Sequence, residues 1–126
     1  MSGTSEVPPW LREQLARFEQ LQQNLQAILV QKQQIDLESA DVDRALVELK
    51  KAGENDAVYK SAGSILVKAK KEDLIKDLDE KKELAGTRST VLSKQEQRVR
   101  ENIKELQAKI EEALKGRTSA SQAASN

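Results

Sequence analysis

The chain has 126 residues, with 21 basic and 21 acidic side chains and a formal charge of zero. That balance leaves no electrostatic footprint for nucleic acid or an anionic membrane surface, so neither is expected as a partner. Cys and His are absent, which excludes thiol nucleophiles, Cys/His metal sites, disulfides and imidazole general bases.

The aromatics are Trp10, Phe18 and Tyr59 alone, too few for the compact core that a chain of this length would ordinarily build. An abundance of Leu, Lys, Glu, Gln and Ala matches long helices and coiled coils instead, with apolar surface buried along thin seams. Nowhere do about 18 apolar residues run together, so no membrane-spanning segment is expected. Residues 1–6 lack a basic stretch followed by an apolar run, so no signal peptide is expected, and with no cysteine the cytoplasm is favoured.

Helix 1 is expected over about residues 8–52. Thr4 or Ser5 can cap it, and Pro8 and Pro9 suit a first turn, where a missing N–H costs nothing. Lys50 and Lys51 oppose the negative helix end, and Gly53 suits a left-handed closing residue. At about 1.5 Å per residue such a helix runs to roughly 66 Å, far beyond the ordinary globular helix.

A turn-rich Gly53-Glu54-Asn55-Asp56 follows, and then a hairpin over about residues 57–68. Its strands are Ala57-Val58-Tyr59-Lys60 and Ser64-Ile65-Leu66-Val67, flanking Ser61-Ala62-Gly63, with Gly63 free to take positive φ. A plain loop between the helices is the alternative. Helix 2 is expected over about residues 70–115, with Glu72 and Asp73 in its first turn and Lys115-Gly116 at its end. Gly86 beside Thr87 marks a soft point or slight bend, and residues 117–126 are expected to be a disordered tail.

With Leu11 at heptad position a, helix 1 places Leu11, Phe18, Leu25 and Leu46 at a and Leu21, Ile28, Ile35, Val42 and Leu49 at d. Helix 2 places Ile75, Ile103 and Ile110 at a and Leu78, Ala85, Leu92, Val99, Leu106 and Ala113 at d. Folding the helices back on each other with Leu49 against Ile75 sets the whole ladder: Leu46 with Leu78, Leu25 with Val99, Leu21 with Ile103, Phe18 with Leu106. The polar intruders then meet uncharged partners, among them Lys82 facing Val42. A chain carrying Leu25→Cys and Val99→Cys is expected to form an intramolecular disulfide on oxidation. Intermolecular products alone would contradict the antiparallel hairpin.

The two ends of this coiled coil carry apolar surplus. Ile65, Leu66 and Val67 are consecutive and so point to both faces of a ribbon that is marginal by itself and has two open edges. Joining several such hairpins into a barrel satisfies faces and edges together, with Val58, Tyr59, Gly63, Ile65, Leu66 and Val67 as the assembly residues. At the far end, Trp10 and Leu15 flank Leu11 and Phe18 on helix 1, and Leu114 flanks Ile110 and Ala113 on helix 2. Trp10, Leu11, Leu15, Phe18, Leu106, Ile110 and Leu114 are candidates for holding another apolar surface; sealing the seam is the alternative role for Trp10 and Leu15. The acidic clusters Glu38–Asp43 and Asp77–Glu80 read as solvated helix faces, as do Val30 and Leu37 on the outer face.

In these segments the chain resembles the archaeal form of the β-type subunit of prefoldin. The stretches that carry the resemblance are Phe18-Glu19-Gln20-Leu21-Gln22-Gln23, Gln31-Lys32-Gln33, Ala45-Leu46-Val47-Glu48-Leu49, Arg88, Gln95-Glu96 and, most specific, Val58–Val67. It departs from the family at Leu84-Ala85-Gly86-Thr87, where a helix-favouring run is typical. The resemblance implies a mainly α fold, a long antiparallel two-helix coiled coil joined by a short β-hairpin that assembles into an oligomeric β-barrel. It also implies a hexamer of two α-type and four β-type subunits that holds unfolded clients at the coiled-coil tips and passes them to a group II chaperonin. No nucleotide, other cofactor or catalysis is implied. A structural tether without clients is the alternative function, although a tether has no use for the Val58–Val67 hairpin. An enzyme would need a pocket that a helical hairpin lacks.

Overall fold

Pro9 opens the first helix, as a residue with fixed φ and no N–H suits a first turn. The structure, a computed structural model, describes the backbone of residues 7–125 and the side chains of residues 7–116. Its elements in chain order are α1 (Pro9–Lys51), β1 (Val58–Ala62), β2 (Ile65–Ala69) and α2 (Lys71–Ser125). The fold is therefore mainly helical, with one short antiparallel hairpin between two long helices. The caps expected at Thr4 or Ser5 lie outside the described residues.

The start of α1 is fastened by Arg12, whose backbone N–H donates to Pro8 O at 3.0 Å and whose guanidinium donates to Val7 O at 3.1 Å. Its end differs from the sequence expectation. Gly53 does not adopt the left-handed conformation; among the described residues only Gly63 has positive φ, at 62°. The chain closes α1 by side-chain capture instead: the Gly53 N–H donates to Asp56 Oδ2 at 2.6 Å, and the Asp56 N–H returns to Gly53 O at 3.0 Å. Lys71 Nζ also donates to Ala52 O at 2.7 Å, placing a cation at the negative end of α1.

β1 and β2 pair from Val58 with Ala69 to Ala62 with Ile65, leaving Gly63-Ser64 as a two-residue turn. Positive φ at Gly63 but not at Ser64 is the pattern of a type II′ turn, whose twist matches that of the flanking strands. The strands thus extend to Ala62 and Ala69, and Ser61 and Ala62, expected in the loop, are paired.

α2 begins at Lys71 with Glu72 and Asp73 in its first turn, where the helix dipole favours acids. It runs unbroken through Gly86. The Thr90 hydroxyl donates to Gly86 O at 3.0 Å and that of Thr87 to Glu83 O at 3.2 Å, so both threonines bond back to the helix backbone. Nothing lies within 4 Å of a Cβ built at Gly86. Gly86→Ala is therefore expected to raise stability by roughly 0.8–1 kcal/mol, read from the denaturant midpoint. A lower midpoint would show that the glycine is needed there. The expected stop at Lys115-Gly116 is corrected too, because the helical backbone continues to Ser125. One glycine costs only about 1 kcal/mol, and Ala120, Ala123 and Ala124 are strong helix formers.

By compactness the chain divides into two units, Met1–Leu29 with Lys94–Asn126, and Val30–Ser93. In the first, Leu11, Leu106 and Ile110 form a buried cluster against which Val7, Phe18 and Leu21 pack. This brings the start of α1 onto the late part of α2, an antiparallel arrangement. Leu25, Ile28, Val99 and Ile103 are half-buried in the same unit. In the second unit Leu46 and Leu92 are buried and Leu49, Ile75 and Leu78 half-buried.

Lys82, a polar intruder at a seam position, escapes to the surface and places its ammonium 2.8 Å from Asp43 Oδ1. Asp43 adjoins Val42, the residue that the sequence sets opposite Lys82. The hydrogen bond to Asp43, then that carboxylate's charge, raise the Lys82 pKa above the ordinary 10.5. Because the folded-state value is the higher one, whatever the pair contributes is present below the ordinary lysine range and fades as pH rises through the folded value.

Candidate functional site

Two sets of exposed apolar side chains emerge from this scaffold, one in each unit. The first is the hairpin. Alternation along the strands and the observed register place Tyr59, Ser61, Leu66 and Lys68 on one face and Val58, Lys60, Ala62, Ile65, Val67 and Ala69 on the other. Each face carries large apolar groups: Tyr59, Ile65 and Val67 are exposed, and Leu66 is 71% exposed. Val58 and Ala69, at the helix-proximal end of the ribbon, are half-buried. Lys60 Nζ lies 3.8 Å from Asp77 Oδ2, linking β1 to α2. Among the described residues the sheet has two strands, so each has one outer edge with no strand beside it there.

The second set lies in the first unit, and the structure splits it. Leu11 at 2% exposure, with Leu106 and Ile110, is core, and Phe18 is half-buried against that core. Trp10 at 49%, Leu15 and Leu114 are exposed around it. The division follows the heptad: the buried residues are at a and d, whereas the exposed ones occupy flanking positions, where a side chain covers the seam without entering it. The buried members position this surface, and Trp10, Leu15 and Leu114 offer it.

Val47 on α1 and Leu84 and Val91 on α2 are also exposed, and none of the three was read from the sequence as apolar surface. The seven-residue spacing of Leu84 and Val91 puts them on one stripe, a signal the heptad frame contains once positions outside the seam are counted. Other polar contacts include Arg44 with Asp41, an exposed pair of a kind worth about 0–1 kcal/mol, and Arg100 to Glu96 at 2.8 Å, in which the glutamate side chain is largely covered. Among the described residues, no group of acidic side chains gathers to hold a metal ion, and no helix is long and apolar enough to cross a membrane. The arrangement leaves apolar side chains exposed in each of the two units.

Residues 12–117 match the protein family described as Prefoldin subunit. The chain is 44% identical over 109 residues to prefoldin subunit beta of Archaeoglobus fulgidus, covering 86% of this chain and 94% of that protein. Its identity to prefoldin subunit beta of Caldivirga maquilingensis is 40% over 110 residues, covering 87% and 91%. Among solved structures, the crystal structure of the prefoldin beta subunit from Thermococcus strain KS-1 matches with a TM-score of 0.77 at 36% identity, covering 86% of this chain and 96% of that one.

Proposed function

The chain belongs to the prefoldin family of chaperone subunits, as a subunit of beta type, and on that premise we propose that it is an ATP-independent holdase. Its hairpin joins those of an alpha-type subunit and of further beta-type copies in a hexameric β-barrel platform. The helix ends around Trp10, Leu15 and Leu114 hold unfolded polypeptide and deliver it to a group II chaperonin in the cytoplasm. No cofactor and no catalytic residue take part.

The observation that carries this reading is the exposed set Trp10, Leu15 and Leu114 around a buried core of Leu11, Leu106 and Ile110. An unfolded client offers scattered apolar side chains in no fixed order. A few exposed apolar groups on a firm base can take such side chains without demanding a sequence. Each contact is weak, and several subunits on one platform gain affinity by acting together. A tether without clients has no use for that exposure.

The test is a truncation lacking residues 1–15 and 111–126, assembled with an alpha-type subunit. It is expected to form the hexamer and to lose suppression of aggregation of a denatured client. A truncated hexamer that suppresses aggregation at full strength would leave the helix ends without this role.

A further inference from the structure

The seam of the Val30–Ser93 unit has two unlike flanks. On one, the residues that follow the apolar d positions are Asp36, Asp43, Lys50, Asp79, Gly86 and Ser93, with no large apolar side chain among them. On the other, the residues that precede position a include Glu38 and Ala45 on α1 and Leu74, Lys81 and Arg88 on α2. All five line a groove, in two stretches of about 720 and 450 Å3 that share Lys81 and Leu84. Between its walls lie the half-buried seam residues Val42, Leu49, Leu78 and Ala85.

A two-helix seam needs apolar residues at a and d alone, whereas apolar residues at a third heptad position give the wider face of a helix packed on more than one neighbour. Ala45 and Leu74 supply that wider face here. Leu84, 51% exposed, extends it along α2, and Val91 repeats Leu84 one heptad on. From Leu74 to Arg88 the groove runs about 21 Å along α2, or roughly four helical turns.

Its rims carry ordered charge. In the stretch away from the hairpin, α1 contributes Glu38 and Asp41, and α2 contributes Lys81 and Arg88. Opposite charges flanking a seam commonly bridge across it. Among the described residues no ion pair joins Glu38 to Lys81 or Arg88, and Asp41 pairs with Arg44 on its own helix. Nearer the hairpin, Asp77 is 3.8 Å from Lys60, and Glu80 adds one more acid.

We propose that this groove docks one amphipathic helix of a partner protein, about four turns long, whose apolar stripe covers Leu74, Leu78 and Leu84. Basic side chains run along its edge toward Glu38 and Asp41, and acidic ones along its edge toward Lys81 and Arg88. The apolar stripe supplies the binding, and the rims set the direction in which the helix lies, because reversing it brings like charges together. The exposed set Trp10, Leu15 and Leu114 imposes no order on what it holds; the charged rims of the groove do, and so select a sequence.

The experiment uses three labelled peptides of about four turns that share one leucine stripe. The first has lysines on one edge and glutamates on the other, the second lysines on both edges, the third glutamates on both. Each is titrated against the hexamer assembled with an alpha-type subunit and followed by fluorescence anisotropy. The first is expected to bind roughly tenfold tighter than either of the others. Leu84→Glu should weaken it by tenfold or more while leaving the hexamer intact by sedimentation, since Leu84 is an exposed residue. Arg88→Glu should turn the preference toward the peptide with lysines on both edges. Serine at positions 10, 15 and 114 should leave its binding unchanged. Equal affinity for all three peptides, or no binding, would overturn the proposal. So would loss of binding with the serine variant, or dissociation of the hexamer by Leu84→Glu, which would make the groove a contact between subunits.

Discussion

Leu106→Ala is expected to destabilise the protein by about 2–5 kcal/mol, far more than truncation of an exposed leucine on the same helix. Leu106 is only 6% exposed and is in the cluster with Leu11 and Ile110. A two-helix seam is one side chain deep, so a missing isobutyl group leaves either a gap bounded by two helices or an opening to water. Neither is repaired by a neighbour sliding in, because the neighbours are held at their own heptad positions. Leu114→Ala, at a position 45% exposed, removes the same atoms and should cost far less. Denaturant titration followed by circular dichroism compares the two. Equal losses would contradict the assignment of Leu106 to the core and Leu114 to the surface.

The second large effect falls on activity, with stability less affected. Replacing Trp10, Leu15 and Leu114 together with serine should lower the denaturant midpoint less than the loss of a core leucine does per residue, because nearly half of each residue is already exposed and serine costs only a few tenths of a kcal/mol each in a helix. The assembled protein should nevertheless need roughly tenfold more subunit to keep a diluted, denatured client from scattering light, since every weak contact is multiplied across the assembly. Leu106→Ala below its melting range should show the reverse, with lower stability and retained holding. The two variants together separate the scaffold from the surface it carries.

Much of the fold was legible because its limits are written in residues with few conformational choices. Pro9 and Lys51 bound α1, and Glu72 and Asp73 mark the start of α2, each within a residue or two of where composition puts them. Gly63 announced the hairpin turn correctly. The strand ends were less legible, since Ser61 and Ala62 carry no turn chemistry of their own and pair only because a two-residue turn fits the strand twist. Gly53 was misread because a glycine after a helix fits two closures, and the choice depends on whether the Asp56 side chain reaches its N–H. Gly116 was misread because one glycine does not outweigh the helix-forming residues after it. At the candidate site, periodicity found the apolar surplus at Trp10, Leu15 and Leu114 but did not separate it from Leu11, Leu106 and Ile110. That separation is a matter of burial, fixed only when the second helix is in place. Leu84, named only as part of a departure from the family, was not read as exposed apolar surface for the same reason: exposed apolar residues off the seam are ordinary until a groove adjoins them.

The central claim, that Leu15 and Leu114 meet unfolded polypeptide, is tested most directly by photocrosslinking. A photoreactive phenylalanine analogue replaces Leu15, Leu114 or, as the control, Leu37 on the outer stripe. Each assembled variant is mixed with a denatured client and illuminated. Client adducts at positions 15 and 114, with little at position 37, are the expected result. Adducts as abundant at position 37, or none at positions 15 and 114, would contradict it.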